Sequence, residues 1–267
     1  MYWKDVWRFK TSIEYEFKYA GRYGAKGEKR QKKKKPTPEE MELQNRTNKS
    51  NRTRRLIKAN FSPGDYWITL TYRSGTRKDI TEVKADMRLF VKQMRKEYQK
   101  QDVPLKFIYM IEIGTLGGLH AHILLNRIPD TDKLVTAYWP HGHPHFVPVY
   151  EEGEYKALGD YFAKVPQESE DKPKKEQLKP IDKDHYAYSS SRNLIRPEPE
   201  RKKYYRRNMR KLLADGPKPT PGYYIVPESI WIGTNRFTGY SSMRYIENLI
   251  GGGNSETSGK YLRPPDD

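Results

Sequence analysis

Several features that often define a protein class are missing from this sequence. The 267 residues contain no cysteine, which excludes disulfides and thiolate zinc sites and fits a reducing compartment. There is no apolar run of about 18 residues and no apolar segment near the N-terminus, so neither a membrane span nor a signal peptide is predicted. We therefore expect a cytoplasmic protein.

The charge is strongly one-sided. The chain has 51 lysines and arginines against 34 acidic residues, for a net charge of +17. Such an excess indicates a polyanionic partner, most simply nucleic acid. Aromatic residues make up 13% of the chain, with 21 tyrosines, so rings that could stack on unpaired bases are plentiful.

Composition and patterning divide the chain into three regions. Residues 1–60 form a basic N-terminal region with an aromatic strand, a lysine-rich arm and a basic helix. Residues 61–212 are predicted to form the main domain, with a proline- and charge-rich loop near 166–184. Residues 213–267 are predicted to be a C-terminal extension that ends in a flexible tail.

The main domain reads as an α+β fold with a mainly antiparallel sheet. Strand and helix signals alternate along it, with apolar residues at period two in the strands and near 3.6 in the helices. The predicted elements are a strand at 65–72, a helix at 81–101, a hairpin at 106–126, helices at 130–138 and 154–164, and a short strand at 146–149 whose proline suits a sheet edge. A further helix is predicted at 37–59, with Thr37 as its N-cap.

A pair of histidines is the most informative motif. His120 and His122 alternate within an apolar run, so both side chains point to one face of a strand. Glu112 lies in the preceding strand-like run, and the stretch 114–118 reads as the turn between them. Folding this hairpin would bring the carboxylate beside the two imidazoles, as in a divalent metal site. Ligands of this kind are compatible with Mn²⁺ or Mg²⁺.

A candidate nucleophile follows on a predicted helix. Tyr161 and Lys164 lie one helical turn apart, which places a phenol and an ammonium on the same helix face. An unperturbed tyrosine has a pKa near ~10, so a nearby positive charge would help it to lose its proton. A metal site and a tyrosine on a basic chain indicate chemistry on DNA phosphates.

Three basic segments are candidates for DNA contacts. They are the arm near residues 29–36, the second half of the helix at 37–59, and a segment at 200–211 that we expect to be a basic helix with exposed rings. Arg192 is a further candidate. The complete candidate set is Lys32, Lys33, Lys34, Arg52, Arg54, Arg55, Arg192, Lys202, Lys203, Arg206, Arg207 and Arg210.

Two other patterns are set aside. His141, His143 and His145 also alternate, but glycine and proline interrupt them, which favours a turn over a metal site. The stretch 254–261 resembles a phosphate-binding loop but lacks its first glycine and its Ser/Thr, so no ATP-driven helicase motor is predicted.

With these motifs in order, the chain resembles the HUH (His-hydrophobic-His) endonucleases, and more narrowly the rolling-circle replication initiators of bacterial plasmids, single-stranded DNA phages and related mobile elements. The resemblance covers about residues 61–200. It rests on the strand Trp67–Tyr72, the run Gly118–His122 and the motif Tyr161–Lys164, with Ser190–Leu194 similar to the segment that follows the tyrosine helix in some phage-type initiators.

The resemblance implies both fold and activity. It implies a five-stranded antiparallel, ferredoxin-like sheet flanked by helices, with the histidines on a central strand. It also implies that Glu112, His120 and His122 hold a metal, and that Tyr161 attacks an origin, often a hairpin, to leave a 5′-phosphotyrosine. Host helicase and polymerase would then be partners. Some relatives use two tyrosines, but Tyr155 would face elsewhere on the helix, which favours a single-tyrosine enzyme.

Two alternatives stay open. A conjugative relaxase or a single-strand transposase would use the same chemistry, although relaxases often place the tyrosine ahead of the histidines. A non-catalytic nucleic-acid-binding protein would explain the charge and the aromatics equally well, but not the ordered motifs. The oligomeric state is left open by the sequence.

Overall fold

The structure is a computed structural model that describes residues 2–19, 35–76, 78–114, 118–150, 155–163, 188–204, 206–235 and 238–251. The predicted loop near 166–184 and the predicted tail after residue 251 lie outside these residues. The chain divides into two compact units. The first comprises the described residues of Met1–Met41 and Pro197–Tyr261, and the second those of Glu42–Arg196. The regions 1–60 and 213–267 of the sequence thus both contribute to the first unit, while most of the helix before residue 60 lies in the second.

The second unit is built on a five-stranded antiparallel sheet. Its strands are β3 (Tyr66–Leu70), β4 (Phe107–Ile113), β5 (Leu119–Leu125), β6 (Pro144–Pro148) and β7 (Ser189–Ser190). Their order is β6-β3-β5-β4-β7, so β5 is the central strand and β6 lies at an edge. The edge position suits β6, because its prolines cannot donate ladder hydrogen bonds on both sides.

Helices α2 (Ile80–Lys100) and α3 (Thr131–Tyr138) cover one face of this sheet. The apolar side of α2 packs on inward-facing residues of β3 and β5, because apolar residues recur along it at helical spacing. Asp79 begins α2 with a capping box, in which its side chain accepts from the backbone of Glu82 at 2.9 Å and Glu82 accepts in return.

Helices α1 (Pro38–Asn60) and α4 (Lys156–Ala163) contribute to the core on the other face. The core there joins residues of α1 and α4 to Ile108, Met110 and Leu124 on the sheet. Thr37 caps α1 as predicted, since its hydroxyl accepts from the backbone of Glu40 at 3.2 Å.

The first unit holds a six-stranded antiparallel sheet that the sequence patterns did not predict as a whole. Its strands are β1 (Tyr2–Arg8), β2 (Ser12–Tyr19), β8 (Glu200–Tyr204), β9 (Tyr223–Ile225), β10 (Trp231–Asn235) and β11 (Tyr240–Leu249), in the order β10-β11-β2-β1-β8 with β9 beside β11. A one-turn 3-10 helix, Pro227–Ser229, and helix α5 (Arg206–Asp215) complete the unit. Met209 of α5 packs on the sheet with a cluster of tyrosines.

The α+β class and the antiparallel sheet are therefore confirmed, and each predicted element of the main domain up to residue 163 is present with shifts of a few residues at its ends. The expectation of one helix over 200–211 is wrong. Residues 200–204 form strand β8, because they pair with β1 from the opposite end of the chain, and the helix begins only at Arg206. Within the described residues, no helix is long and apolar enough to cross a membrane.

Candidate metal and tyrosine site

The hairpin of β4 and β5 positions three buried metal-binding side chains. In its register Glu112 lies opposite His120, and Met110 lies opposite His122. Because side chains alternate across a strand, Glu112, His120 and His122 share one face of the sheet. All three are at least nine-tenths buried.

The ligand atoms of these three residues converge. His122 Nε2 lies 3.0 Å from Glu112 Oε2 and 3.0 Å from His120 Nε2, and His120 Nε2 lies 3.9 Å from the same carboxylate oxygen. One ligand atom from each residue fits within 4.8 Å of the others. Two imidazole nitrogens and one carboxylate oxygen at this spacing could hold a divalent ion and leave coordination positions open for a substrate. This donor set fits the metal that the sequence predicts.

Strand β3 supplies two further contacts to His122. Thr69 lies opposite His122 in the register, and its Oγ1 is 3.1 Å from His122 Nδ1. The indole of Trp67 is stacked on the His122 ring, with centroids 5.3 Å apart and an interplanar angle of 11°. Trp67 and Thr69 belong to the first resemblance motif, but sequence reasoning assigned them no role. Their alternation along β3, matching that of the histidines on β5, was the available signal.

Tyr161 reaches the same place from helix α4. Its hydroxyl donates a hydrogen bond to Oε2 of Glu112. Its ring makes edge contacts with His122, at 5.3 Å between centroids, and with Trp67, at 5.4 Å. The candidate nucleophile and the candidate metal ligands are therefore one cluster. Lys164 lies outside the described residues, so its predicted role stays a prediction.

Helix α4 is seated closely on α1. A Cβ added at Gly159 would lie 2.9 Å from the Ser50 carbonyl oxygen and 3.0 Å from Arg54 Cβ. Beside this contact, the Ser50 hydroxyl donates to Asp160 at 2.5 Å. Because Gly159 and Asp160 immediately precede Tyr161, this packing sets the height of the tyrosine over the sheet.

A glycine also limits the space around His120. A Cβ at Gly114 would lie 3.3 Å from His120 Nδ1, and the Gly114 amide donates to Gly118 O at 2.8 Å across the hairpin. Residues 115–117 of the predicted turn lie outside the described residues. Gly114 was read from the sequence only as part of a turn, whereas the structure places it against a candidate ligand.

The basic candidates on α1 and near β7 are in different environments. Arg52 is exposed and Arg55 is half-buried, but Arg54 is only 6% exposed and packs beside Gly159 of α4. Arg192 is exposed, just after β7. A phosphate contact therefore suits Arg52 and Arg192 better than Arg54.

The remaining basic candidates belong to the first unit or lie outside the description. Lys202 and Lys203 are exposed on strand β8, and Arg210 is exposed on α5. Arg206 and Arg207 lie at the start of α5, and their side chains are outside the description, as are residues 32–34 with Lys32, Lys33 and Lys34.

The second histidine cluster serves other contacts. His141 lies against the Trp139 ring, with centroids 4.9 Å apart, and its Nε2 is 3.5 Å from Asp86. Burial alone would raise the pKa of Asp86, but hydrogen bonds from Lys78 and Tyr72 outweigh it and hold that pKa below its usual value. His145 lies on edge strand β6 and is exposed.

Tyr155 does not lie on the helix that carries Tyr161. It immediately precedes α4 with a positive φ of 57°, and its side chain is 3% exposed within the core shared by α1 and the sheet. A side chain buried among apolar neighbours suits packing, in agreement with a single reactive tyrosine.

Comparison with known families places this site. Residues 65–166 match a family model of replication-associated proteins, described as the ORF2 type. The matched segment contains the hairpin with its three metal-binding side chains and helix α4 with Tyr161. The resemblance to rolling-circle initiators is thereby confirmed over this segment. No curated protein and no solved structure matches the chain.

Proposed function

We propose, from the match of residues 65–166 to the replication-associated protein family, that the chain initiates rolling-circle replication by nicking and rejoining one DNA strand at an origin. The observation that carries this proposal is the hydrogen bond from the Tyr161 hydroxyl to Glu112, inside the cluster with His120 and His122. A merely structural tyrosine has no need to reach a buried carboxylate that already has imidazole neighbours.

Each side chain has a role that follows from its place. Glu112, His120 and His122 would hold a divalent ion, Mn²⁺ or Mg²⁺, which polarises the scissile phosphate and stabilises the charge that develops on it. Trp67 and Thr69 hold the His122 ring against rotation. Helix α4 holds the Tyr161 oxygen beside this cluster, so that the nucleophile and the phosphate meet without further reorganisation of the protein.

The covalent step exchanges one ester bond for another. The Tyr161 oxygen attacks phosphorus, a bond from tyrosine to the 5′ phosphate forms, and the bond to the 3′ oxygen breaks. The phenolic proton leaves, with the Glu112 carboxylate as its nearest acceptor, and the departing 3′ oxygen takes up a proton to become a free hydroxyl. Because the phosphotyrosine keeps the energy of the ester bond, a 3′ hydroxyl can reverse the step and join strands.

Partners follow from the products. A free 3′ hydroxyl is what a host polymerase extends, and a nicked duplex needs a helicase to expose more single strand. Host polymerase and helicase are therefore the proposed partners, with a hairpin origin that presents an unpaired nick site. Strand unwinding by the purified protein alone would contradict the need for a separate helicase.

The test uses labelled single-stranded oligonucleotides that tile the DNA around the protein's own gene, incubated with Mn²⁺ or with EDTA. We expect cleavage and a covalent protein–DNA adduct on the 5′ phosphate side, both lost in EDTA and both absent in Tyr161→Phe. The matched control is Tyr188→Phe, since the Tyr188 hydroxyl accepts from Thr53 at 3.3 Å, away from the three metal-binding side chains.

Two outcomes separate the alternatives. An adduct that persists in Tyr161→Phe would contradict the assignment of the nucleophile. Tight binding without any cut or adduct, on tiles that include every hairpin flanking the gene, would favour the non-catalytic nucleic-acid-binding protein. A relaxase or a transposase would form the same adduct, but on the transfer origin or element end rather than on a replication origin.

A further inference from the structure

One face of the six-stranded sheet in the first unit carries indole and basic side chains in adjacent rows. The register aligns Trp231 on β10 with Arg244 on β11, then with Glu16 on β2, Asp5 on β1 and Arg201 on β8. Residues directly opposite one another across antiparallel strands point to the same face. This row therefore crosses the sheet from one edge strand to the other.

A second row lies beside it on the same face. Trp3 is two residues from Asp5 on β1, and it aligns with Lys18 on β2 and with Lys203 on β8. The two rows together supply Trp3, Lys18, Arg201, Lys203, Trp231 and Arg244, a set that we call the indole–basic face. None of these residues lies within the segment that matches the replication-associated family.

The acidic residues on this face are largely neutralised by neighbours. Asp5 is fully buried, and Arg201 binds it with two hydrogen bonds of 2.7 and 2.9 Å while Lys18 lies 2.7 Å away. Burial alone would raise the pKa of Asp5, but these hydrogen bonds hold it below its usual value. Two cations thus share one buried carboxylate, and their outward surface keeps a positive charge.

The indoles are held flat beside cations and remain open to a ligand. The Arg201 guanidinium lies 5.9 Å from the centre of the Trp3 ring, and that of Arg244 lies 5.5 Å from the Trp231 ring. Trp231 is 40% exposed, and the Arg201 and Lys18 side chains are 49% and 41% exposed. A buried structural tryptophan would not leave this area in water.

We propose that the indole–basic face binds single-stranded DNA. Unpaired bases would stack on Trp3 and Trp231, while Lys18, Lys203 and the two arginines contact the phosphates. A duplex hides its base faces, so the exposed indoles favour a single strand. The choice of DNA over RNA rests on the proposed nicking function, whereas the stacking and charge arguments do not depend on it.

Strand β8 provides a matched pair of lysines for the test. Lys203 belongs to the indole–basic face, while Lys202 points to the opposite face, where it aligns with Lys4. Both are exposed, so Lys203→Ala and Lys202→Ala remove the same charge from the same strand. The proposal predicts different effects, although the sequence alone would rank the two lysines as equal.

Binding would be measured by fluorescence anisotropy with a labelled oligothymidylate, using full-length protein in EDTA and in a Tyr161→Phe background so that no chemistry occurs. We expect Lys203→Ala to weaken binding several-fold and to reduce the slope of log affinity against log salt by about 0.7. Lys202→Ala should keep the affinity to within about two-fold, as a small residue of general electrostatics. Equal losses in the two variants would overturn the proposal.

The indole is tested separately. Trp231→Ala should weaken binding by about ten-fold through lost stacking, and Trp231→Phe should recover most of it, with thermal unfolding checked for both. Trp231→Ala at wild-type affinity, or competition by a duplex as effective as by the single strand, would overturn the assignment. Tighter competition by RNA of the same sequence would overturn the choice of DNA.

Because this assay needs no metal and no cleavage, its failure is distinct from failure of the proposed nicking. Loss of the expected binding pattern in a protein that still forms the Tyr161 adduct would count against this face only. The expected binding pattern in a protein that never forms an adduct would count against the nicking proposal only.

Discussion

At the scale of single residues, His122 shows how the site is ordered. Thr69 contacts its Nδ1, Trp67 lies on its ring, and Glu112 and His120 lie at its Nε2. If Nδ1 carries the hydrogen and donates to the Thr69 oxygen, the lone pair of Nε2 points toward the other two ligands. Neighbours of this kind set the tautomer of a metal-binding histidine.

Removing the Thr69 hydroxyl should therefore weaken metal binding. We expect Thr69→Val to lower Mn²⁺ affinity by about 10- to 100-fold, because the buried Nδ1 loses its partner and the ring can take the wrong tautomer. Titration followed by electron paramagnetic resonance of free Mn²⁺ measures this directly, without DNA. Thr69→Ser keeps the hydroxyl and should retain most of the affinity.

The matched control lies on the same segment. Thr71 bonds through its hydroxyl to the His143 carbonyl at 2.8 Å, away from the three metal-binding side chains, so Thr71→Val should leave Mn²⁺ affinity unchanged. Equal affinity in Thr69→Val and the wild type would contradict the role given to Thr69.

The candidate ligands could be predicted from the sequence because the pattern that places them is local. Alternation along one hairpin is enough to bring Glu112 beside His120 and His122, and only the turn between the strands must be recognised. Thr69 and Trp67 were missed because their contacts depend on the pairing of β3 with β5, two strands far apart in sequence. No short-range spacing encodes that register.

At the scale of elements, the seat of α4 on α1 decides where Tyr161 stands. We expect Gly159→Ala to destabilise the protein by about 1–3 kcal/mol, because the new methyl group meets the Ser50 backbone at 2.9 Å. The sign is informative, since alanine in an unobstructed helix would instead stabilise by up to about 1 kcal/mol. Urea unfolding measures the difference, and adduct formation by Tyr161 should fall as well.

Gly118→Ala is the control for the substitution itself. A Cβ at Gly118 meets nothing within 4 Å, so the free energy of unfolding should change little. A Gly159→Ala protein as stable as the wild type, or more stable, would show that α4 can move away from α1 and that the helix does not fix the tyrosine.

Elements were predictable where their own sequence carries the signal. Helix α2 combines a capping box with an apolar stripe, and both are visible without any partner. Residues 200–204 are different, since a run of charges and tyrosines suits an exposed helix as well as a strand. Only the alignment of Tyr2 with Tyr204 and of Trp3 with Lys203 makes them β8, and that pairing joins the two ends of the chain.

At the scale of the whole molecule, chemistry and general affinity are carried by different parts of the chain. The candidate nicking site lies in the second unit, within the segment matched to the replication-associated family. The net charge of +17 extends well beyond that segment, with a dense lysine run at residues 32–35. Metal affinity and non-specific DNA affinity should therefore respond to different substitutions.

Replacing Lys32, Lys33 and Lys34 together by alanine tests this separation. If all three contact phosphates, the slope of log affinity against log salt for a random single strand should fall by about 2, because each neutralised phosphate contributes about 0.7. Mn²⁺ affinity should be unchanged, since the ligands Glu112, His120 and His122 are buried in the second unit. An unchanged salt slope would mean that the lysine run makes no contact with DNA, and a changed Mn²⁺ affinity would mean that the arm and the metal site do not act separately.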